Sequence, residues 1–182
     1  MYMMAKELKK KGNPIKIIIA GNGAVGKTTL SERLAGTIKE DEDREMTCGI
    51  EFHDLNIVND SLLQGQIWDL GGQSQFRCIF QGSGAFFKNL DIIIFVFDVN
   101  MFQSFIELDN WVRMIANKNP IIAYLIANKI DLPQRAITTD EGFEFAQQHD
   151  LEYFEISALT GAGFFNFRDQ LVKDMKKIAN KN

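Results

Sequence analysis

The stretch IKIIIAGNGAVGKTTL, from Ile15 to Leu30, decides the fold. It joins a short apolar run, a glycine-rich loop and the start of a helical segment, and its centre, GNGAVGKT, fits the pattern G-x-x-x-x-G-K-[ST]. In such a loop, backbone N–H groups surround phosphate oxygens, the lysine neutralises the β and γ phosphates, and the hydroxyl group coordinates Mg²⁺. The sequence therefore predicts a nucleotide phosphate site that uses Lys27 and Thr28 in these roles.

Short apolar runs along the chain predict a parallel sheet. Runs rich in Ile, Val and Phe are typical of strands buried on both faces, and they lie at Ile15 to Ala20, Leu63 to Trp68, Ile92 to Phe97, Ile121 to Ala127 and Tyr153 to Ile156. Glu51 to Val58 alternates imperfectly and turns through Asn59-Asp60-Ser61 into the next run, which predicts an antiparallel hairpin. We expect an α/β, three-layer P-loop NTPase fold with a mostly parallel six-stranded sheet, one antiparallel edge strand and helices on both faces.

Helical segments fill the gaps between these strands. In one of them, apolar residues recur at the third-and-fourth spacing of a single buried face, and the four predicted helices are Thr28 to Ile38, Gln103 to Asn117, Thr139 to His149 and Phe164 to Ile178. Because no repeat or linker interrupts the pattern, we expect one domain at 15–178, a polar N-terminal tail at 1–14 and a C-terminal tail at 179–182.

Composition and charge argue against several classes of protein. The 182 residues are 46% hydrophobic, which is enough for a core without disulfides. The net charge of -4 and the lack of a long basic block argue against nucleic acid as a partner. Cys48 and Cys78 have no redox or metal-ligand spacing, and no apolar run is long enough to cross a bilayer. Together with the missing secretory signal, these features predict a cytoplasmic protein.

The sequence carries no lipidation signal. Tyr2 replaces the glycine needed for N-myristoylation, and Cys78 is the last cysteine, so no prenylated C-terminal cysteine is present. Met1 to Lys11 combines a few apolar residues with a lysine cluster, but it has too little apolar surface to favour a membrane helix over a solvated tail. We expect membrane contact to be weak or indirect.

The segment NKID, Asn128 to Asp131, indicates which nucleotide base is bound. The carboxylate of Asp131 can accept both the N1–H and the N2–H of guanine, a donor pair that adenine lacks. Lys129 can lay its aliphatic stem along the base, and Asn128 can link this loop to the phosphate loop. The pattern therefore predicts guanine specificity.

The segment SAL, Ser157 to Leu159, follows the next predicted strand. Its Ala158 N–H can meet the guanine O6. Ser157 by itself is more typical of a helix N-cap or a turn, so a nucleotide-binding role for it is supported only by the presence of the other motifs.

The segment WDLGGQ, Trp68 to Gln73, ends another strand. Asp69 is placed to hold Mg²⁺ through water, the Gly72 N–H to meet the γ phosphate, and Gln73 to orient the attacking water. A strand that ends in a glycine turn is common, and only the other two motifs make a functional role the better interpretation.

In their order and spacing these motifs resemble the Ras superfamily of small GTPases over Ile15 to Ile178. Three segments look most like Rab proteins, namely QSQFRCI (Gln73 to Ile79), DVNMFQSFIELDNWV (Asp98 to Val112) and EISALTGAGF (Glu155 to Phe164). The double glycine Gly71-Gly72 is instead similar to Arf proteins, heterotrimeric G-protein alpha subunits and Rag GTPases.

The resemblance implies a molecular switch that binds GTP and hydrolyses it slowly, with help from a GTPase-activating protein. Two switch loops, Lys39 to Gly49 and Leu70 to Phe86, would report the γ phosphate to effectors and meet an exchange factor. Thr47 matches the switch threonine that coordinates Mg²⁺, together with Thr28 and, through water, Asp69.

The same resemblance assigns nucleotide contacts to residues in all these motifs. The implied catalytic set is Gln73, Lys27, Thr47 and Gly72, with Arg44 as a further candidate. Gly23 matches a position where a side chain obstructs hydrolysis, which favours an active enzyme. The implied nucleotide-binding residues are Gly21, Asn22, Gly23, Ala24, Val25, Gly26, Lys27, Thr28, Thr29, Thr47, Gly72, Asn128, Lys129, Asp131, Ser157, Ala158 and Leu159.

Two other functions fit part of the pattern. One is a GTP-binding scaffold or assembly protein with negligible hydrolysis, which Gly23, Thr47 and Gln73 disfavour. The other is a P-loop ATPase or small-molecule kinase, which Asp131 and the absence of an arginine-rich lid disfavour. The sequence carries no signal for a particular oligomeric state.

Arg44 has two interpretations. It lies three residues before Thr47, and R-E-M-T-C-G-I is similar to the R-x-x-T-x-G-I pattern in which alpha subunits supply a catalytic arginine in cis. It also lies among five carboxylates, Glu40, Asp41, Glu42, Asp43 and Glu45, which can pair with it or share solvent. The sequence leaves both interpretations open.

Overall fold

Six strands form one sheet, which organises the molecule. The computed structural model describes residues 13–38, 46–58, 62–73, 87–115 and 120–181. The strands are β1 (Ile15–Ala20), β2 (Ile50–Val58), β3 (Leu62–Leu70), β4 (Ile92–Asp98), β5 (Ile122–Asn128) and β6 (Glu152–Ile156). Their order across the sheet is β2-β3-β1-β4-β5-β6, and only β2 and β3 pair antiparallel. The sheet and its antiparallel edge strand confirm the predicted fold.

The β2–β3 hairpin is paired along its full length. Its register runs from Ile50 opposite Leu70 to Val58 opposite Leu62, while the predicted turn at 59–61 lies outside the described residues. The pairing places the start of β2 beside the end of β3, where WDLGGQ begins its loop. Residues from both strands therefore meet at the edge of the sheet where parallel strands end.

Alternate residues of the parallel strands enter two separate hydrophobic layers. Ile17 and Ile19 of β1 pack into the first layer, and Ile18 and Ala20 pack into the second. The first layer is covered by α1 (Lys27–Ala35) and α5 (Phe164–Lys181), and the second by α2 (Phe102–Ile106), α3 (Leu108–Ile115) and α4 (Thr139–Gln148). Because both faces are covered, the central strands are almost wholly apolar and polar groups concentrate at strand ends.

The segment predicted as one helix from Gln103 forms two helices, α2 and α3. At the break, the Glu107 N–H donates to the Gln103 carbonyl, and the Asn110 N–H donates to the Glu107 carbonyl only three residues away. The Ser104 hydroxyl accepts from the Asp98 N–H and so fixes α2 to the end of β4. Apolar spacing did not reveal the break because both helices bury residues on the same layer.

Two other helix boundaries differ from the prediction. Helix α1 ends at Ala35 rather than Ile38, because Gly36 is left-handed (φ 72°) and the Thr37 N–H returns to the Glu32 carbonyl. Helix α5 continues through Lys181, so residues 179–181, predicted as tail, are helical. Residues 1–12 of the predicted N-terminal tail lie outside the described residues. None of the described helices is long and apolar enough to span a bilayer.

A buried hydrogen bond between β5 and α5 allows a test of the fold. The Tyr124 hydroxyl donates to Asp174 Oδ2 over 2.6 Å, and both residues are buried. We expect Tyr124→Phe to lower the free energy of unfolding by about 1–2 kcal/mol, because Asp174 stays buried and loses a donor. Urea denaturation measures the change.

Tyr153→Phe is the matched control. Its hydroxyl donates to Glu155, which also binds Arg135, and both partners are only partly buried. We expect a smaller loss of stability there, and equal losses in the two variants would contradict the importance of burial at Asp174.

Candidate nucleotide-binding site

The loop between β1 and α1 approaches its neighbours too closely for side chains at two glycines. Gly21 has φ 150°, and a Cβ atom there would lie 2.1 Å from the Val96 carbonyl oxygen. Gly26 has φ 92°, and its Cβ would lie 2.3 Å from Asn128 Nδ2. The glycine positions of the motif are therefore required by contacts with β4 and β5 as well as by phosphate binding.

Lys27 stands at the start of α1, inside this loop. Its side chain is buried, and Nζ donates to the Asn22 carbonyl over 2.6 Å. Gly26, the N-cap of α1, provides no side-chain cap. The loop thus combines a held ammonium group with the positive end of a helix, which is the arrangement that suits a phosphate.

Three oxygen-bearing side chains from separate segments converge beside Lys27. Thr28 Oγ1 donates to Asp69 Oδ2 over 2.5 Å and lies 2.9 Å from Thr47 Oγ1. The segments come from α1, the residues before β2 and the end of β3. The fold therefore brings together the three residues that the sequence predicted as ligands of one metal ion.

The donor set at this point fits a divalent cation. Asp69 is fully buried, and its Oδ1 has no hydrogen-bond partner among the described residues. Burial raises the pKa of this carboxyl group, while the hydrogen bond from Thr28 and the charge of Lys27 oppose the rise. Hydroxyl and carboxylate oxygens are ligands that Mg²⁺ prefers, and its charge would favour the ionised carboxylate.

The double glycine after β3 fits between two other loops. A Cβ at Gly71 would lie 2.8 Å from the Thr47 carbonyl, and one at Gly72 would lie 2.2 Å from the Asn22 carbonyl carbon. The Gly71 N–H also donates to the Gly49 carbonyl over 2.7 Å. This segment therefore touches both the phosphate loop and the loop that carries Thr47.

Met46, which the sequence did not mark as a site residue, lies beside the predicted catalytic glutamine, Gln73. Gln73 Nε2 lies 3.3 Å from Met46 Sδ, in donor geometry. A Cβ at Gly23 would lie 2.6 Å from Met46 Cε, so a side chain at Gly23 would displace Met46. The structure thus groups Gly23, Met46 and Gln73 at the mouth of the phosphate loop.

Asn128 joins three loops through one side chain. Its Nδ2 donates to the Val25 carbonyl over 2.8 Å, and its Oδ1 accepts from the Ala158 N–H over 2.9 Å. The predicted link to the phosphate loop is present. The Ala158 N–H, which the sequence assigned to guanine O6, donates here to Asn128 instead.

Lys129 is held by the end of β4 and by the phosphate loop. Its Nζ lies 2.8 Å from Asp98 Oδ2 and donates to the Ala24 carbonyl over 2.7 Å. Asn100 Nδ2 donates to the Lys129 carbonyl over 3.3 Å, and Lys129 has φ 67°. These contacts hold the aliphatic stem of Lys129 at one side of the expected base site. Asp131, two residues further along the chain, is exposed.

Ser157 has the turn role that its residue type indicates. It is fully buried, and its Oγ accepts from the Thr160 N–H over 3.0 Å. Arg33 of α1 donates through its guanidinium group to the carbonyls of Ala158 and Leu159. The SAL loop is therefore fastened on both sides, while the Leu159 side chain is 65% exposed.

Several anchors of the site lie outside the nucleotide-binding motifs. Trp111 of α3 donates from Nε1 to Asn22 Oδ1 over 3.1 Å, and Arg33 and Asp98 fix the base loops as described. Such residues carry no local pattern, so only their contacts identify them. Arg44 and most of both predicted switch loops lie outside the described residues.

The phosphate loop, the oxygen cluster beside it and the NKID loop on the same sheet edge define a P-loop guanine-nucleotide-binding protein. A family model described as the Ras family matches residues 16–177. "Ras-related protein Rab-18" of Caenorhabditis elegans is 32% identical over 153 residues, which cover 82% of this chain and 73% of that protein. "Ras-related protein RABA4b" of Arabidopsis thaliana is 32% identical over 174 residues, covering 91% and 74%.

The chain belongs to the Ras family. It is therefore a Rab-like small GTPase, which binds GTP as a switch and hydrolyses it to GDP and phosphate. "Ras-related protein RABA4d" of Arabidopsis thaliana is 36% identical over 149 residues, which cover 79% of this chain and 65% of that protein. The alternative of a scaffold without hydrolysis is not favoured.

The close approach at Gly72 can be tested by a single methyl group. In Gly72→Ala the new Cβ would meet the Asn22 carbonyl and the Gly23 nitrogen at 2.2–2.4 Å, so the loop after β3 cannot close on the phosphate loop. We expect single-turnover GTP hydrolysis to fall about tenfold or more, while GDP still binds.

Gly36→Ala is the control. Gly36 is left-handed but has open space around it, so its substitution should cost about 1 kcal/mol of stability without affecting hydrolysis. Hydrolysis by Gly72→Ala at the parent rate would contradict the role of the close approach.

Proposed function

We propose that Mg²⁺ and the γ phosphate of GTP bind where Thr28, Thr47 and Asp69 converge. The observation that carries this proposal is the meeting of three oxygen side chains from distant segments within hydrogen-bond distance, beside the buried Lys27. Bound Mg²⁺ would neutralise phosphate charge at this position. The hydroxyl groups of Thr28 and Thr47 would hold the ion directly, and Asp69 would hold it through water.

Residues of the phosphate loop and of the loop after β3 act on the transferred group. Lys27 stabilises negative charge on the β and γ phosphates, and the Gly72 N–H donates to a γ-phosphate oxygen. Gln73 orients a water whose oxygen attacks the γ phosphorus as the bond to the β–γ bridging oxygen breaks. Gln73 must leave Met46 Sδ to do so, which makes the Met46 contact a resting position of the catalytic side chain.

The base is selected at the opposite end of the site. Asp131 accepts the paired N–H donors of guanine, and Lys129 lines the base with its stem. Asn128 holds this loop against Val25, so base binding and phosphate binding share one rigid support. We propose that Ser157, Ala158 and Leu159 line the guanine, and that the Ala158 N–H exchanges its hydrogen bond to Asn128 Oδ1 for one to guanine O6.

Loss of the γ phosphate would release both switch segments together. Thr47 and Gly72 each lose a contact on hydrolysis, and the Gly71–Gly49 hydrogen bond couples the two segments. Members of the family act through effectors, exchange factors and GTPase-activating proteins. We propose that such partners recognise the joint release of the two switch segments.

The outer face of the β2–β3 hairpin supports contact with an effector. Phe52 is 54% exposed, and its ring packs edge-on against Trp68 with centroids 4.9 Å apart. This aromatic pair lies directly beside the loop that carries Thr47. We propose that an effector in membrane trafficking buries it in the GTP state, and that the protein acts in the cytoplasm, where the exposed thiol of Cys48 stays reduced.

Nucleotide preference and hydrolysis can be measured in one experiment. We expect single-turnover hydrolysis of GTP but not of ATP, dependent on Mg²⁺ and slowed about tenfold or more by Gln73→Leu, which cannot orient water. ATP turnover above GTP turnover would contradict the assigned base loop, and an unchanged rate in Gln73→Leu would contradict the role of the glutamine.

The cis-arginine role of Arg44 is a separate proposal, supported by its spacing from Thr47. If Arg44 neutralises charge on the transferred phosphoryl group, Arg44→Ala should lower intrinsic hydrolysis by about tenfold or more and leave GDP affinity nearly unchanged. The control is Arg113→Ala, since Arg113 pairs with Asp109 on the exposed surface of α3. Equal rates in both variants would contradict the catalytic role and indicate that Arg44 is a solvated charge among its acidic neighbours.

A further inference from the structure

A second cluster of potential metal ligands lies on the inner face of the β2–β3 hairpin. Glu51, His53 and Asp69 each offer one ligand atom, and these atoms all lie within 4.8 Å of one another. The hairpin register places Glu51 directly opposite Asp69, and His53 follows two residues along on the same face of β2. Among the described residues this is the one such group of His, Cys, Asp and Glu side chains.

Two buried atoms in this cluster have no hydrogen-bond partner among the described residues. His53 Nε2 lies 3.9 Å from Glu51 Oε1, with the histidine side chain 10% exposed. Asp69 Oδ1 is buried on a fully buried residue, whose other oxygen, Oδ2, accepts from Thr28. A buried polar atom without a partner destabilises the fold, so two such atoms in one cluster indicate a missing shared ligand.

The charges and atom types identify the class of that ligand. As metal ligands, two carboxylates and one imidazole would together bring a charge of about -2, which a divalent cation balances. An imidazole nitrogen suits Zn²⁺ and similar transition metals, whereas Mg²⁺ prefers oxygen ligands and retained water. The donor set therefore favours a transition metal over a second Mg²⁺.

We propose that Glu51, His53 and Asp69 form a site for Zn²⁺ or a similar transition-metal ion, with water completing the coordination. Ligand atoms at about 2.1 Å around a tetrahedral Zn²⁺ lie about 3.4 Å apart. His53 Nε2 and Glu51 Oε1, now 3.9 Å apart, must therefore approach by about 0.5 Å, and the Glu51 side chain, 49% exposed, has the rotamer freedom to supply that movement.

The site connects metal binding to the nucleotide. This consequence rests on the proposed function, in which Asp69 holds Mg²⁺ through water; we place that water on Oδ2, the oxygen that Thr28 contacts. The transition metal would bind Oδ1 of the same carboxylate, and the two cations repel each other across it. Zn²⁺ should therefore weaken Mg²⁺ binding and accelerate GDP release, and Mg²⁺ must weaken Zn²⁺ binding by the same factor.

Calorimetric titration with Zn²⁺ tests the site on the full chain loaded with GDP in excess Mg²⁺. We expect one ion per chain, and we expect His53→Ala and Glu51→Gln each to weaken binding about tenfold or more. Co²⁺ in place of Zn²⁺ should give a visible absorption band that His53→Ala removes. An absent Zn²⁺ isotherm, or parent-like binding in His53→Ala, would overturn the site and leave water as the occupant.

His149→Ala is the matched control. His149 is the other histidine of the chain, and its Nε2 also lies 3.9 Å from a carboxylate oxygen, that of Asp109, but no third ligand joins this pair within the described part of the chain. It should retain parent Zn²⁺ affinity, and a loss comparable to that of His53→Ala would overturn the assignment.

Binding of a fluorescent GDP analogue by each variant separates failure of this site from failure of the proposed function. A variant that binds the analogue is folded, and its Zn²⁺ isotherm then reports on the ligands alone. Zn²⁺ should speed release of the analogue from the parent by about threefold or more, but not from His53→Ala. An unchanged release rate at Zn²⁺ saturation would overturn the sharing of Asp69.

Discussion

Close backbone approach at three glycines is the constraint on which the site depends. Cβ atoms at Gly21, Gly26 and Gly72 would lie 2.1–2.3 Å from atoms of other segments. Because glycine has no side chain, the loops after β1 and β3 and the NKID loop after β5 can approach one another and enclose the candidate nucleotide site.

The electrostatics of this site favour the binding of a phosphate group and a cation. Lys27 and Asp69 are both buried, and Oδ1 of Asp69 has no hydrogen-bond partner among the described residues. Burial raises the pKa of Asp69, and a cation beside it would reverse that tendency. A ligand that binds only the folded chain also stabilises it by mass action, so metal, phosphate and fold are linked through these two groups.

Most of the fold could be predicted from the sequence because its signals are local. The apolar runs located every strand to within two residues, and the predicted hairpin pairs as expected. The break at Glu107 was missed because it depends on hydrogen bonds rather than on apolar spacing. Gly36 could have marked the true end of α1, since a glycine just past a helix is a recognised stop signal.

The candidate site likewise contains some residues that the sequence identified and others that only the structure revealed. Lys27, Thr28, Asp69 and Asn128 stand in motifs whose spacing carries chemical meaning. Met46 has no such pattern, and neither do Trp111, Arg33 and Asp98, because each reaches the site from a different element. Their roles follow from packing between segments that are up to 126 positions apart, as for Arg33 and Leu159.

By itself, the sequence determined where the phosphate loop, the NKID loop and the strands lie along the chain, because glycine spacing and apolar runs act within a few residues. Only the tertiary structure decided which side chains share a surface. The pairing of β2 with β3 places Glu51 and His53 beside Asp69. A slip of one residue would send Glu51 and His53 to the opposite face of the sheet, because side chains alternate along a strand.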